Sequence, residues 1–327
     1  MAASFERSAR QLGLVASLFD AKSAQASFRL VNSLHWRLHD KRSPNMAAFG
    51  ARLLASIRQT RPRYLLTTGL SPVSADVLHA ARQLGVLCLH YSTDDPWNPT
   101  QRAKWFMQAL PAFDLIFSAR QSNLADFQAL GCSQVHYLPF GYDDTIFCPH
   151  LAAATMVDDK VLFVGGADRD RVNFIEQLLA AGIPMQLVGG YWERYKAVRP
   201  HSLGHKTPQE LLELTRSAPV NLCLVRRANR DGHVMRSFEI AALGGCMVVE
   251  DTPEHRAIFG LEGECVFYFD GPQQAAAKIK LLLADKVLRL RIGAAVQEKI
   301  VAGGNTYTQR LQTLLEAAHK LGPSLNV

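Results

Sequence analysis

Apolar residues along the chain fall into short unbroken runs, separated by longer stretches in which they recur at helical spacing. In the first half, runs at 14–19, 64–67, 86–91, 115–117 and 135–137 read as strands. Helical spacing occupies 45–60, 72–84, 99–109 and 120–130. Residues 27–38 fit a further helix, closed by the polar break Lys41-Arg42-Ser43-Pro44. Phe5, Ala9 and Leu12 form the apolar stripe of an opening helix that ends at Gly13. Unbroken apolar strands alternating with helices predict a mainly parallel sheet covered on both faces.

Between 138 and about 160 the pattern fails: Pro139, Gly141, Asp143-Asp144 and Pro149 mark turns, and 151–159 has no clear period. The alternation then resumes, with strands expected at 161–164, 185–188, 220–225, 247–250 and 265–269. Helices are expected at 170–181, 208–216, 234–243, 253–258, 272–284, 286–301 and 306–320. The predicted fold class is α/β, with two doubly wound Rossmann-like domains facing a cleft. The first spans 1–150, the second 151–305, and the last helix, 306–327, packs back on the first. Such a domain ordinarily opens with a buried strand and a glycine turn. This one opens on a helix, so the first domain is expected to lack its first strand. Ligands of open α/β sheets sit outside the carboxyl ends of the strands, which makes the cleft the default site.

A length of 327 residues suits about two domains. With 48% hydrophobic and 20% charged residues the chain is ordinary globular material, not disordered, collagen-like or a disulfide scaffold. It has no apolar run of the ~20 residues that span a bilayer. Residues 7–26 imitate a secretory signal, but Glu6, Asp20 and Lys22 break its charge pattern. The six cysteines make no C-x-x-C and suit reduced, packed thiols in a cytoplasmic protein. The net charge of +7 favours anionic partners: nucleic acid, acidic lipid at a peripheral membrane contact, or phosphorylated metabolites. No dense basic block or aromatic–basic alternation points to specific nucleic-acid binding.

Two segments carry candidate chemistry. In the first, strand 161–164 runs into Gly165-Gly166, followed by Arg169, Arg171 and a helix. Glycine permits close backbone approach and a helix N-terminus attracts anions, so a diphosphate fits, as does a plain tight turn with solvent-facing arginines. The second, 226–239, leaves the strand at 220–225 and holds four arginines, His233, Asp231 and Glu239. A carboxylate near a helix start can accept two ribose hydroxyls; equally, Glu239 can pair with Arg236 at i,i+3. In the first half, Asp94-Asp95 ends a strand. It is either a carboxylate pair at an acceptor site or a helix cap, and its spacing is wrong for a D-x-D metal motif. Gly69 allows close approach at the neighbouring strand end. His35, His39, His201 and His205 lack ligand spacing and read as surface or turn residues, and no metal site is expected.

The second half resembles the CgeB-like (spore maturation) glycosyltransferases of the retaining GT-B group. The likeness rests on Phe163-Val-Gly-Gly with Arg171, on Gly189-Gly-Tyr-Trp192 and on the segment from Arg236 through Glu239 to Gly244. It also rests on the passage His136-Tyr-Leu-Pro139-Phe-Gly141-Tyr-Asp143 with Phe147 and Pro149, and on Asp94-Asp95. The resemblance implies transfer of a sugar from a nucleoside-diphosphate sugar to a glycan, protein or lipid acceptor, with retention, without metal and with no cofactor beyond the donor. It places Glu239 at the donor ribose and Asp231, a shorter acid than the family's, near the donor sugar. Arg171 and Arg236 fall at the diphosphate, His233 near the transferred sugar, and Gly69, Asp94 and Asp95 on the acceptor side. The competing readings are a nucleotide-sugar epimerase and a non-catalytic carbohydrate-binding or scaffold protein of the same fold.

Overall fold

The computed structural model describes residues 1–26, 28–148 and 159–321. The chain forms two compact units. One comprises Met1–Pro139, Arg227–Asp231 and the chain from Arg310; the other comprises Phe140–Arg226 and Gly232–Gln309. Both are Rossmann-like, with parallel sheets.

The first unit opens with helices α1 (Ala2–Gln11), α2 (Arg29–Leu38) and α3 (Met46–Thr60). It continues through β1 (Tyr64–Thr68), α4 (Ala75–Gln83), β2 (Leu87–Ser92), α5 (Lys104–Ala109), β3 (Leu115–Ser118), α6 (Leu124–Ala129) and β4 (Val135–Tyr137). The four strands pair in parallel in the order β1-β2-β3-β4. Strand order therefore follows chain order, and the sheet is wound in one direction only, where a doubly wound sheet was expected. The expected strand at 14–19 is absent: these residues carry no strand pairing, and Leu14, Val15 and Leu18 are exposed. An apolar run specifies a strand only if a free sheet edge receives it, and here only Phe19 reaches the core, edge-on to Phe49 at 6.3 Å. The remaining strands of this half lie within a residue or so of their expected places.

The second unit holds β5 (Val161–Val164), α7 (Arg169–Ala180), β6 (Met185–Val188), β7 (Ser202–Gly204), α8 (Pro208–Ser217), β8 (Asn221–Cys223), α9 (Met235–Ala242), β9 (Met247–Glu250), α10 (Pro253–Phe259) and β10 (Phe267–Phe269). The helices α11 (Pro272–Ala284), α12 (Lys286–Ala302) and α13 (Tyr307–Lys320) follow. The sheet order is β10-β9-β8-β5-β6-β7, all parallel. From β5 the chain winds outward through β6 and β7, then returns to the other side of β5 as β8. This is double winding, with its switch point between β5 and β8. The short edge strand β7 was not expected from sequence.

Local chemistry accounts for many boundaries. Thr207 and Glu210 form a reciprocal capping box around Pro208 at the start of α8, and those hydrogen bonds hold the Glu210 carboxyl down at about 2. Asp285 caps α12 and Thr252 caps α10. Among the described residues no helix is long and apolar enough to cross a membrane. All six cysteines are free and five are buried. Helix α13 belongs to the first unit from Arg310 onward, where Arg310 donates to the Pro139 carbonyl at 2.9 Å.

Candidate functional site

At the switch point of the second sheet, the chain leaves β5 through Gly165 and Gly166. The Gly165 amide donates to the Val188 carbonyl at 2.8 Å, and the Ala167 amide to the Gly190 carbonyl at 2.9 Å. Trp192, fully buried, donates its indole N–H to the Gly165 carbonyl at 2.8 Å and sits edge-on to Phe163. Gly189 adopts φ +130°, and a Cβ there would lie 2.4 Å from the Gly165 oxygen. Two separate sequence motifs, Gly165-Gly166 and 189–192, thus close on each other as one glycine-walled turn. Gly166 is the open member: a Cβ there would meet only Arg226 and Gly190 at ordinary contact distances, leaving room for a ligand's approach.

Arg171, expected at a diphosphate, is buried and donates to the Gly166 carbonyl and the Leu224 carbonyl, each at 3.2 Å. It ties the loop after β5 to the loop after β8 across the switch point, while its ring-facing side lies over Phe163. Asp168 caps α7 by accepting the Arg171 amide at 3.0 Å, so an acidic side chain already answers this helix N-terminus. The better-exposed cation beside Gly166 is Arg226, which approaches Asp168 at 3.9 Å. His205, an exposed ring, lies over Gly190. Neither was assigned to the site from sequence: Arg226 was one of the four arginines of 226–239, and His205 was read as a surface or turn residue. Arg226 had a signal, being the first residue beyond the apolar run that ends at Val225; His205 had none, because its place depends on β7.

Helix α9 carries the second constellation. Glu239 is buried and ion-paired with Arg236, one turn earlier. Burial pushes the Glu239 carboxyl up, and the Arg236 charge opposes that shift. Arg236 lies over the Phe147 ring at 5.9 Å, so the passage that carries Phe147 helps to orient it. Pro149 of that passage falls outside the described residues. His233 is fully buried and engaged at both ring nitrogens. Nδ1 faces Glu254 at 2.5 Å, and Nε2 accepts the Phe140 amide at 3.1 Å. Below it, Ser237 joins the Val234 amide to His255, whose Nδ1 reaches the Glu250 carbonyl at 2.7 Å.

The first unit holds the other expected site residues. Gly69 has φ +59°, and a Cβ there would meet Thr93 Oγ1 at 3.0 Å and Asp94 Oδ2 at 3.2 Å. Gly69 and Asp94 are therefore neighbours at the carboxyl ends of β1 and β2. Asp95 faces the other way: it is buried, accepts Nδ2 of Asn123 at 2.9 Å, and takes two donors from Arg230 at 2.6 and 3.0 Å. It also accepts the Trp97 amide, capping a turn where the expected alternative was a helix cap. Asp231 belongs to this unit too, its carboxylate paired with the buried Arg120.

Residues 169–316 match the family described as glycosyl transferase-like. That match falls mostly within the second unit. Over its length the chain is similar in fold to a sucrose-phosphate synthase from Thermosynechococcus elongatus (TM-score 0.63, 16% identity, covering 86% of this chain and 79% of that one). It is likewise similar to an α,α-trehalose 6-phosphate synthase from Burkholderia multivorans (TM-score 0.58, 14% identity, 99% and 84% covered). A putative UDP-N-acetylglucosamine 2-epimerase from Listeria monocytogenes is more distant (TM-score 0.51, 12% identity, 88% and 86% covered). No curated protein sequence matches the chain. The chain therefore has the GT-B fold, and its glycosyl transferase-like domain makes it a transferase.

Proposed function

We propose that this glycosyltransferase moves a sugar from a nucleoside-diphosphate sugar to a hydroxyl-bearing acceptor, with retention and with no cofactor beyond the donor. The observation that carries the reading is the glycine-walled turn at the switch point, open at Gly166 and flanked by Arg226, in the unit that also buries the Glu239–Arg236 pair. A diphosphate approaching Gly166 closely meets the Arg226 guanidinium. Glu239, paired with Arg236, offers its carboxyl oxygens to the vicinal hydroxyls of the donor ribose.

In this reading the bond from the anomeric carbon to the diphosphate oxygen breaks while the acceptor oxygen bonds to that carbon on the same face. The acceptor proton passes to a departing phosphate oxygen. Charge grows on the leaving diphosphate, and Arg226 and Arg236 stabilise it electrostatically. Arg171, Asp231 and His233, each held by buried partners, act as positioning residues: Arg171 fixes the two loops, Asp231 anchors segment 227–231 and His233 fixes the Phe140 amide. Asp94, beside Gly69, is the acceptor-side carboxylate, and Asp95 holds Arg230.

The test is nucleoside-diphosphate release by the purified protein from UDP, GDP and ADP sugars. Release that is lost in Glu239→Ala, with the fold retained by circular dichroism, supports transfer. Glycan binding with no donor consumed, or interconversion of the donor sugar with no diphosphate released, overturns it in favour of a binding protein or an epimerase.

A further inference from the structure

The charge of this protein is not spread evenly. Residues 1–62 hold 10 Lys and Arg against 3 Asp and Glu, while the rest of the chain holds 26 of each, so the whole net charge of +7 lies in the first 62 residues. The same region leaves its apolar side chains uncovered. Of the 16 large hydrophobic residues that are exposed among those described, nine lie between Leu14 and Leu38. On α2, Leu30, Leu34 and Leu38 follow one another at i,i+4 and are 85%, 60% and 68% exposed, with Val31 beside them. On the other side of the helix Asn32 and His35 are half-buried, Asn32 bonded to the Ala26 backbone and His35 to the Arg42 carbonyl. The exposed Arg37 borders the leucine row, and the exposed Arg42 follows the helix.

We propose that α2 docks the protein on an anionic phospholipid surface, its leucine row entering the boundary between headgroups and acyl chains while the surrounding cations meet lipid phosphates. The helix has 10 residues, half of what a span requires, so it lies in the plane of the surface. An uncovered leucine row asks for an apolar phase, and the surplus positive charge around it asks for a negative rim. An anionic bilayer supplies both, whereas a second copy of the same face would bring like charges together. This attachment is separate from the glycosyl-transfer reading, because it involves none of the residues to which that reading gives a role.

The experiment is co-flotation of the full chain with vesicles of phosphatidylcholine alone and of phosphatidylcholine mixed with phosphatidylglycerol. Binding is expected only to the mixed vesicles and is expected to fall as salt rises. It should be lost in the double variant Leu30→Glu, Leu34→Glu, and weakened about fivefold in Arg42→Ala. Both changes are at exposed positions, and circular dichroism confirms the fold. No flotation with either vesicle, equal flotation with both, or flotation retained by the double variant overturns the proposal. So does a concentration-dependent dimer in light scattering that the double variant abolishes, since the row is then covered by a second copy.

Discussion

Arg120 and Asp231, 111 positions apart in the chain, form an ion pair with both side chains almost wholly removed from water. Arg120 also donates to the Thr93 carbonyl at 2.7 Å, so one guanidinium holds segment 227–231 to the turn after β2. Removing one member of such a pair strands the other's charge in a dry site. Arg120→Ala should lower stability by about 3–5 kcal/mol. The double variant Arg120→Met, Asp231→Leu should recover much of that loss. Denaturant midpoints of the three proteins measure both effects.

Gly189 and Gly166 make opposite predictions within one turn. Gly189→Ala places a methyl against the Gly165 oxygen in a left-handed backbone, and should lower stability by about 1–3 kcal/mol. Gly166→Ala meets only ordinary contacts, so its midpoint should stay near that of the parent while donor affinity falls. Thermal shift with and without UDP and GDP separates the two. A ligand at a hundredfold excess over Kd stabilises by about 2.7 kcal/mol, and Gly166→Ala should forfeit most of this.

Glu239→Gln keeps the shape of the side chain and removes its charge, leaving Arg236 without its partner. Donor binding should weaken by more than tenfold, because a hydrogen bond to a charged group contributes about 1.5–3 kcal/mol. Titration calorimetry with the nucleoside diphosphate reads this directly. Affinity equal to that of the parent would remove Glu239 from the ribose.

Two buried histidines set the acid limit, one in each unit. Burial holds His90 down at about 3 and His255 at about 4, against an ordinary value near 6.5. Unfolding frees each ring to take up a proton, so the stability they contribute is full above pH 6.5 and is lost as the pH falls toward those values. Each should cost roughly 1.4 kcal/mol per pH unit over that interval, or about 2 kcal/mol between pH 6.5 and 5. Urea unfolding across this range should show the slope, and His255→Gln should flatten the part belonging to the second unit.

The sequence by itself determined the elements and most of their order. Periodicity, the box at Thr207 and Glu210, and the glycines after β5 and β6 act over a few residues, and the backbone obeys them wherever they fall. The same local signals marked Gly165, Gly166, Arg236 and Glu239 as neighbours of a strand end or of each other along a helix. Only the tertiary structure decided the rest. It left 14–19 unpaired for want of a strand beside it, and it wound the first sheet one way. It also turned Arg171, His233, Asp95 and Asp231 toward buried partners and left Arg226 beside the open glycine. A charged side chain is held by whichever opposite charge or carbonyl shares its dry surroundings. That partner is chosen by packing between distant segments, as with Asp95 and Arg230, 135 positions apart, a distance over which the order of residues carries no periodic signal.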